Sequence, residues 1–160
     1  YADALRSLGT FLAGRSVLEL LEGSAVELAE TLAGAMPFFD DVGFWKRAQI
    51  AAYDLALAGV AEFDDLDQLT IFADNLVPHV LRVDGVLVYD PPLADHIDRG
   101  DLLPPGPEEA EIRACTVHAC VHIASELGVP ERTLDTWLWD RGQEPRYKAL
   151  PRHRTRTVYY

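Results

Sequence analysis

The chain has 160 residues, 49% of them hydrophobic and 25% charged, which is the balance of an ordinary folded domain and excludes extensive disorder. No run reaches the ~20 apolar residues that span a bilayer. A formal net charge of −12 argues against a free-standing duplex-DNA binder, whose affinity comes from Lys and Arg displacing counterions.

Helical spacing dominates in chain order. Val17, Leu18, Leu20, Leu21, Ala25, Leu28, Ala29, Leu32 and Met36 recur at three- and four-residue steps, with Gly23 as an interruption and Pro37 as a stop. A second helix is predicted from about Trp45 to Ala61. Asp64 or Asp65 is expected to cap a third over Leu66 to Asp74. Pro78 suits the first turn of a short fourth helix and Gly85 its end. The stretch 86–89 reads as extended, with no evident partner strand. Pro92 to Arg99 is another short helix. Pro107-Glu108-Glu109 opens a long one that ends at Gly128, acidic where the helix dipole prefers it, and Pro130 starts the last, through Trp139. The fold class is all-α, with residues 1–160 as a single helical domain. No basic segment followed by an apolar stretch opens the chain, so no signal peptide is expected. The start at Tyr1 rather than Met fits a piece of a longer protein.

Charge is distributed unevenly. Residues 141–160 hold Arg141, Arg146, Lys148, Arg152, Arg154 and Arg156 against Glu144, a local +5, which leaves −17 over residues 1–140. Such a tail is expected to fold back onto the acidic body. Cys115 and Cys120 are five apart, about 140° around a helix of ~3.6 residues per turn. They suit neither a disulfide nor a metal-binding pair, and a reducing cytoplasm is the simplest reading. His118 and His122 share a helix face near Glu111, Cys115 and Glu126, yet lack the further ligands of a zinc site; half-buried, hydrogen-bonded histidines are the ordinary reading, and no metal is expected. Glu111 and Arg113 read as a structural ion pair. Trp137 and Trp139, two apart, cannot share one face.

Two stretches carry candidate chemistry. In Phe44-Trp45-Lys46-Arg47, two cations open an apolar helix against its dipole, directly after two aromatics. An anion docked there would reconcile the rings with the charges; surface ion pairs are the alternative. Asp74, after Ile71-Phe72-Ala73 and before Pro78, is expected where a helix ends and a turn begins. A poorly solvated carboxylate at a helix C-terminus would have a raised pKa and suit a general base or a charge facing a developing cation. A capping Asp that binds backbone in the turn is the other reading.

FWKRAQI (44–50), FDDLDQLTIFADNLVPHVLRVDGVLVYD (63–90), EEAEIRAC (108–115), LDTWLWD (134–140) and PRHRTRTVYY (151–160) resemble, in order and spacing, the queuosine salvage protein family, also described as queuosine 5′-phosphate N-glycosylase/hydrolase. Asn75-Leu76 stand where that family usually reads Tyr-Arg. The resemblance implies an all-helical fold similar to the helix-hairpin-helix DNA glycosylases and a further N-terminal region before Tyr1. It implies hydrolysis of the N-glycosidic bond of queuosine 5′-monophosphate, a small-molecule nucleotide, with release of queuine. The family's essential carboxylate falls on Asp74 and its motif lysine on Lys46, with Arg47, Gln49 and Asp54 beside it. Trp45, Lys46, Arg47, Asp54 and His153 are the expected substrate-binding residues. His153, Arg154 and Arg156 either reach the phosphate or clamp the tail. No cofactor, membrane contact or stable nucleic-acid complex is expected. The rival readings are a nucleic-acid glycosylase of related fold and a non-catalytic helical module that binds queuine or its nucleotide.

Overall fold

A computed structural model describes all residues except Val17, Leu18, Leu20 and Glu22, so the start of the predicted first helix lies outside the described residues. The chain is helical and, among the described residues, contains no strand. It divides into two compact units, residues 1–72 with Tyr159, and residues 73–158 with Tyr160.

The first unit contains α1 (Ala2–Leu12), α2 (Ala25–Ala35) and α3 (Lys46–Leu57). The helix α1 lies outside the pattern read from the sequence, which began its apolar spacing at Val17. Helix α2 starts where Ser24 accepts the Glu27 N–H at 3.0 Å. Asp65 supplies the rest of that cap, 40 residues downstream. Its Oδ1 accepts the Ala25 N–H at 2.7 Å, its Oδ2 accepts the Val26 N–H at 3.3 Å, and the Ser24 hydroxyl donates to it. The expected cap thus exists but serves α2 instead of the residues that follow it. Helices α2 and α3 pack together, and Ala25, Ala29, Ala48 and Ala52, all nearly inaccessible, let their backbones approach.

The helix expected over Leu66–Asp74 is replaced by a single 3₁₀ turn, Leu66–Gln68, followed by non-helical backbone. Leu69, Ile71, Phe72 and Ala73 are all buried, so this run is covered on every side and has no solvated helix face to offer. The Gln49 amide holds it in place: Oε1 accepts the Thr70 N–H and Nε2 donates to Thr70 Oγ1, both at 2.9 Å. These bonds take the place of a helical ladder.

The second unit contains α4 (Val77–Val83), α5 (Pro91–Asp98), α6 (Pro107–Leu127), α7 (Glu131–Arg141) and α8 (Pro145–Lys148). Helix α6, about 31 Å long at ~1.5 Å per residue, packs against α4 and α7 and buries the row Ile112, Thr116, Cys120 and Ala124, spaced four apart, with Ile112 joining Ile97 and Leu103 in a small apolar cluster. Gly128 ends it in the left-handed conformation, φ 64°. Residues 86–89 form no strand. The Val86 and Leu87 N–H groups wrap back to the Leu81 carbonyl at 2.8 and 3.1 Å, and Arg82 lies over the Tyr89 ring.

The basic tail is tied down as its charge predicts. The Leu103 N–H donates to the Arg154 carbonyl at 2.9 Å, the Arg154 side chain reaches the Gly100 carbonyl, and the Tyr160 hydroxyl donates to Glu109 at 2.6 Å. Asp84 gathers Arg141, Arg146 and the Tyr147 hydroxyl. His118 and His122 are exposed and meet edge to face at 4.6 Å, so they are not the half-buried pair expected. Among the described residues no His, Cys, Asp or Glu group is arranged to hold a metal ion. Cys115 is exposed and Cys120 buried, both as free thiols. No helix among the described residues is long and apolar enough to cross a membrane.

Candidate active site

Asp74 sits in a turn ahead of α4, not behind a helix. The residues before it are not helical, so the argument from a helix C-terminus does not apply to it. Its Oδ1 accepts the backbone N–H of Leu76 at 2.7 Å and of Val77 at 3.2 Å, the Asx arrangement that starts a helix. The capping reading is therefore correct for one carboxylate oxygen. Both N–H groups converge on that one atom and hold Oδ1 in place. Leu76 is held in turn by Gly142, where a Cβ would lie 2.8 Å from Leu76 Cδ1. At that position glycine supplies space, since its φ of −62° suits any residue.

Arg113 fixes the other side of the loop. Its Nε donates to the Ala73 carbonyl at 2.9 Å, and its guanidinium lies 5.1 Å from the centre of the Tyr160 ring. The ion pair expected with Glu111 is made instead with Glu109, at 3.4 Å. Residues four apart share a helix face, whereas residues two apart point to opposite sides. Arg113 is 3% exposed, and a buried cation without such partners would cost several kcal/mol, about 3–5 when a pair is broken.

His153 lies in the same unit at 1% exposure, its ring edge-on to Tyr160. Neither ring nitrogen has a hydrogen-bond partner. Burial pushes its pKa down to about 4, against the upward pull of the Asp74 carboxylate, with Arg113, His79 and Arg152 adding to the depression. The ring is thus neutral and interior.

The remaining predicted residues belong to the first unit. Trp45 stands at φ 49° as the residue before α3 and packs against the first core, and Val42 is at φ 43°. Two non-glycine residues in the left-handed region so close together mark a strained turn. Asp41, 1% exposed, accepts the Lys46 N–H at 3.4 Å across that turn. Lys46 is half-buried in the first turn of α3, and Arg47 is exposed with its guanidinium 5.6 Å from the centre of the Phe39 ring. Asp54 is exposed, eight residues along the same helix and so ~12 Å from Lys46 along its axis. The strained turn therefore gathers Trp45, Lys46 and Arg47 but not Asp54.

The chain matches the queuosine salvage protein family over residues 5–160. It belongs to that family. A Sphaerobacter thermophilus relative named queuosine 5′-phosphate N-glycosylase/hydrolase is 39% identical over 183 residues, covering 99% of this chain and 57% of its own. Relatives with the same name from Dictyostelium discoideum and Mus musculus are 40% and 32% identical, covering 74% and 86% of this chain and 40% and 48% of their own. The chain thus spans about half the length of the curated relatives it matches.

Within this queuosine salvage sequence, the cap expected of Asp65 and the ion pair expected of Arg113 involve other partners than the residue pattern indicates, and Gln49 makes a structural bond the pattern does not reveal. Each acts over 21 to 40 residues of chain, and nothing at its own position announces a distant partner. A hint exists for Arg113, a cation on the apolar row of α6, where only a paired charge can sit.

Proposed function

We propose that this chain carries the reacting carboxylate of a hydrolase that cleaves the N-glycosidic bond of queuosine 5′-monophosphate and frees queuine for reuse in tRNA modification. The observation behind this reading is the Asp74 loop, braced on both sides by Leu76, Val77 and Arg113 in a chain of the queuosine salvage family. The relatives' shared name supplies the substrate class.

Loss of a base from ribose passes through an oxocarbenium-like state. A carboxylate facing the sugar stabilises that cation and orients or deprotonates the attacking water. Queuine is a 7-deazaguanine, so its ring has no nitrogen at position 7 to protonate, and the demand on cation stabilisation is correspondingly greater. A carboxylate already oriented by backbone N–H groups meets it without reorganising. In this reading Lys46 takes the 5′-phosphate with Arg47 as helper, Trp45 offers a face to the base, and Asp54 reads its amidine-like N–H edge. His153 is an interior ring that feels the Asp74 charge. A single nucleotide needs only a local cationic site, which fits a chain of net charge −12, and free thiols fit a cytoplasmic setting.

The deciding experiment incubates the protein with queuosine 5′-monophosphate and follows free queuine by chromatography, beside Asp74→Asn and Asp74→Ala. The Asn variant keeps an oxygen for the Leu76 and Val77 N–H groups and loses only the charge. Both are expected to lose at least ~100-fold in turnover. Turnover equal to the parent in Asp74→Asn would remove the carboxylate from the mechanism.

A further inference from the structure

A cavity of about 270 Å³ in the second unit is lined by Leu76, by His79 of α4, by Gln143, by Tyr147 and Lys148 of α8, and by Arg152 of the tail. At ~30 Å³ per water it has room for a phosphoryl group and several waters. Its lining contains no carboxylate, and its permanently charged side chains are both basic, Lys148 and Arg152. Elsewhere in this unit Arg82, Arg99, Arg113, Arg141 and Arg146 each meet an Asp or Glu. Lys148 and Arg152 make no such pair among the described residues. In a chain with 26 acidic and 14 basic residues, these two exposed cations share one cavity whose lining holds no carboxylate to neutralise them.

His79 is the independent observation. It lines the cavity at 4% exposure. One ring nitrogen, Nε2, lies 2.8 Å from the Tyr147 carbonyl and so carries a hydrogen, while the buried Nδ1 has no partner. Protonated, the ring would offer a second N–H that only an acceptor from outside the chain can take. Burial opposes that charge most, with Arg152 and Arg82 adding to the opposition, while the Tyr147 carbonyl and Asp98 favour it. An oxyanion would supply the acceptor and the negative charge together.

We infer that this cavity is a binding site for an oxyanion of the phosphate class, held by Lys148 and Arg152 with His79 in its wall. Free inorganic phosphate and the phosphate of a nucleotide share that chemistry. The site requires no turnover, so its failure would leave the Asp74 reading untouched, and loss of the Asp74 reading would leave the site standing.

The test is calorimetric titration of the 160-residue chain with inorganic phosphate, guanosine 5′-monophosphate and guanosine at constant ionic strength. Saturable phosphate binding is expected, weakened at least ~10-fold in K148Q/R152Q by loss of two charge-assisted contacts. It should persist in K148R/R152K. If guanosine 5′-monophosphate loses affinity in K148Q/R152Q as well, the site takes a nucleotide's phosphate; if only inorganic phosphate does, it takes the free ion. In a parallel NMR titration the His79 ring resonances of the parent should shift with phosphate. No saturable phosphate binding, equal affinity in parent and K148Q/R152Q, or an unmoved His79 ring would overturn the inference.

Discussion

With both ring nitrogens unpartnered and burial holding its pKa down near 4, His153 makes folding depend on pH. Above 6.5 the ring is neutral in folded and unfolded chains alike, and its contribution to stability is fully present. As pH falls from 6.5 towards about 4, the unfolded chain takes up a proton that the folded chain refuses. Stability should therefore drop through that window, on the order of 3 kcal/mol by its lower end. Denaturant unfolding of the parent and His153→Gln, above pH 6.5 and near pH 4, should show a shallower decline in the variant; the same pH slope in both would locate the loss elsewhere. Lys46 makes a different prediction under the proposed function. Lys46→Ala should impair turnover of the nucleotide far more than of the unphosphorylated nucleoside, and an equal penalty on both would assign Lys46 to the base. Asp74 and Lys46 are legible as candidates through the family blocks that hold them, since local spacing alone leaves one a helix cap and the other a surface ion pair. Arg113 is not, because its meaning depends on the Ala73 carbonyl 40 residues away.

At the scale of elements, helix positions followed from capping and periodicity wherever a segment has one solvated face. Helix α6 shows this, with Glu108 and Glu109 in its first turn and Gly128 just past its end. The run Leu69–Ala73 shows the reverse: an apolar stretch buried on every side has no periodicity that distinguishes helix from extended chain. Asp65 connects the two lessons. Burial tends to raise its pKa, but the Ser24 hydroxyl and the Ala25 and Val26 N–H groups together bring it below the usual Asp value of 3.8. Asp65→Ala should lower stability by about 1 kcal/mol, as loss of a helix cap does. The difference should be present near neutral pH and disappear once Asp65 in the parent is protonated, below 3.8. Thermal melts of both proteins at the two pH values measure it, and a penalty that persists in acid would mean that charge is not what the cap needs.

For the whole molecule, the proposed function and the net charge of −12 together argue for a small anionic ligand over extended nucleic acid. Fluorescence anisotropy with labelled single- and double-stranded DNA at low salt should show no saturable binding; tight, steeply salt-dependent binding would favour the glycosylase rival. The amino-acid sequence alone determined the all-helical class, the acidic body with its basic tail, the helix ends marked by Pro and Gly, and the family blocks. All of these are local or additive properties, written residue by residue along the chain. Only the tertiary structure decided that Asp74 starts a helix and does not follow one, that Asp65 caps a helix 40 residues upstream, and that Glu109, not Glu111, pairs with Arg113. The reason is physical: a buried polar group must find its partner, and the chain brings that partner from wherever the packing places it.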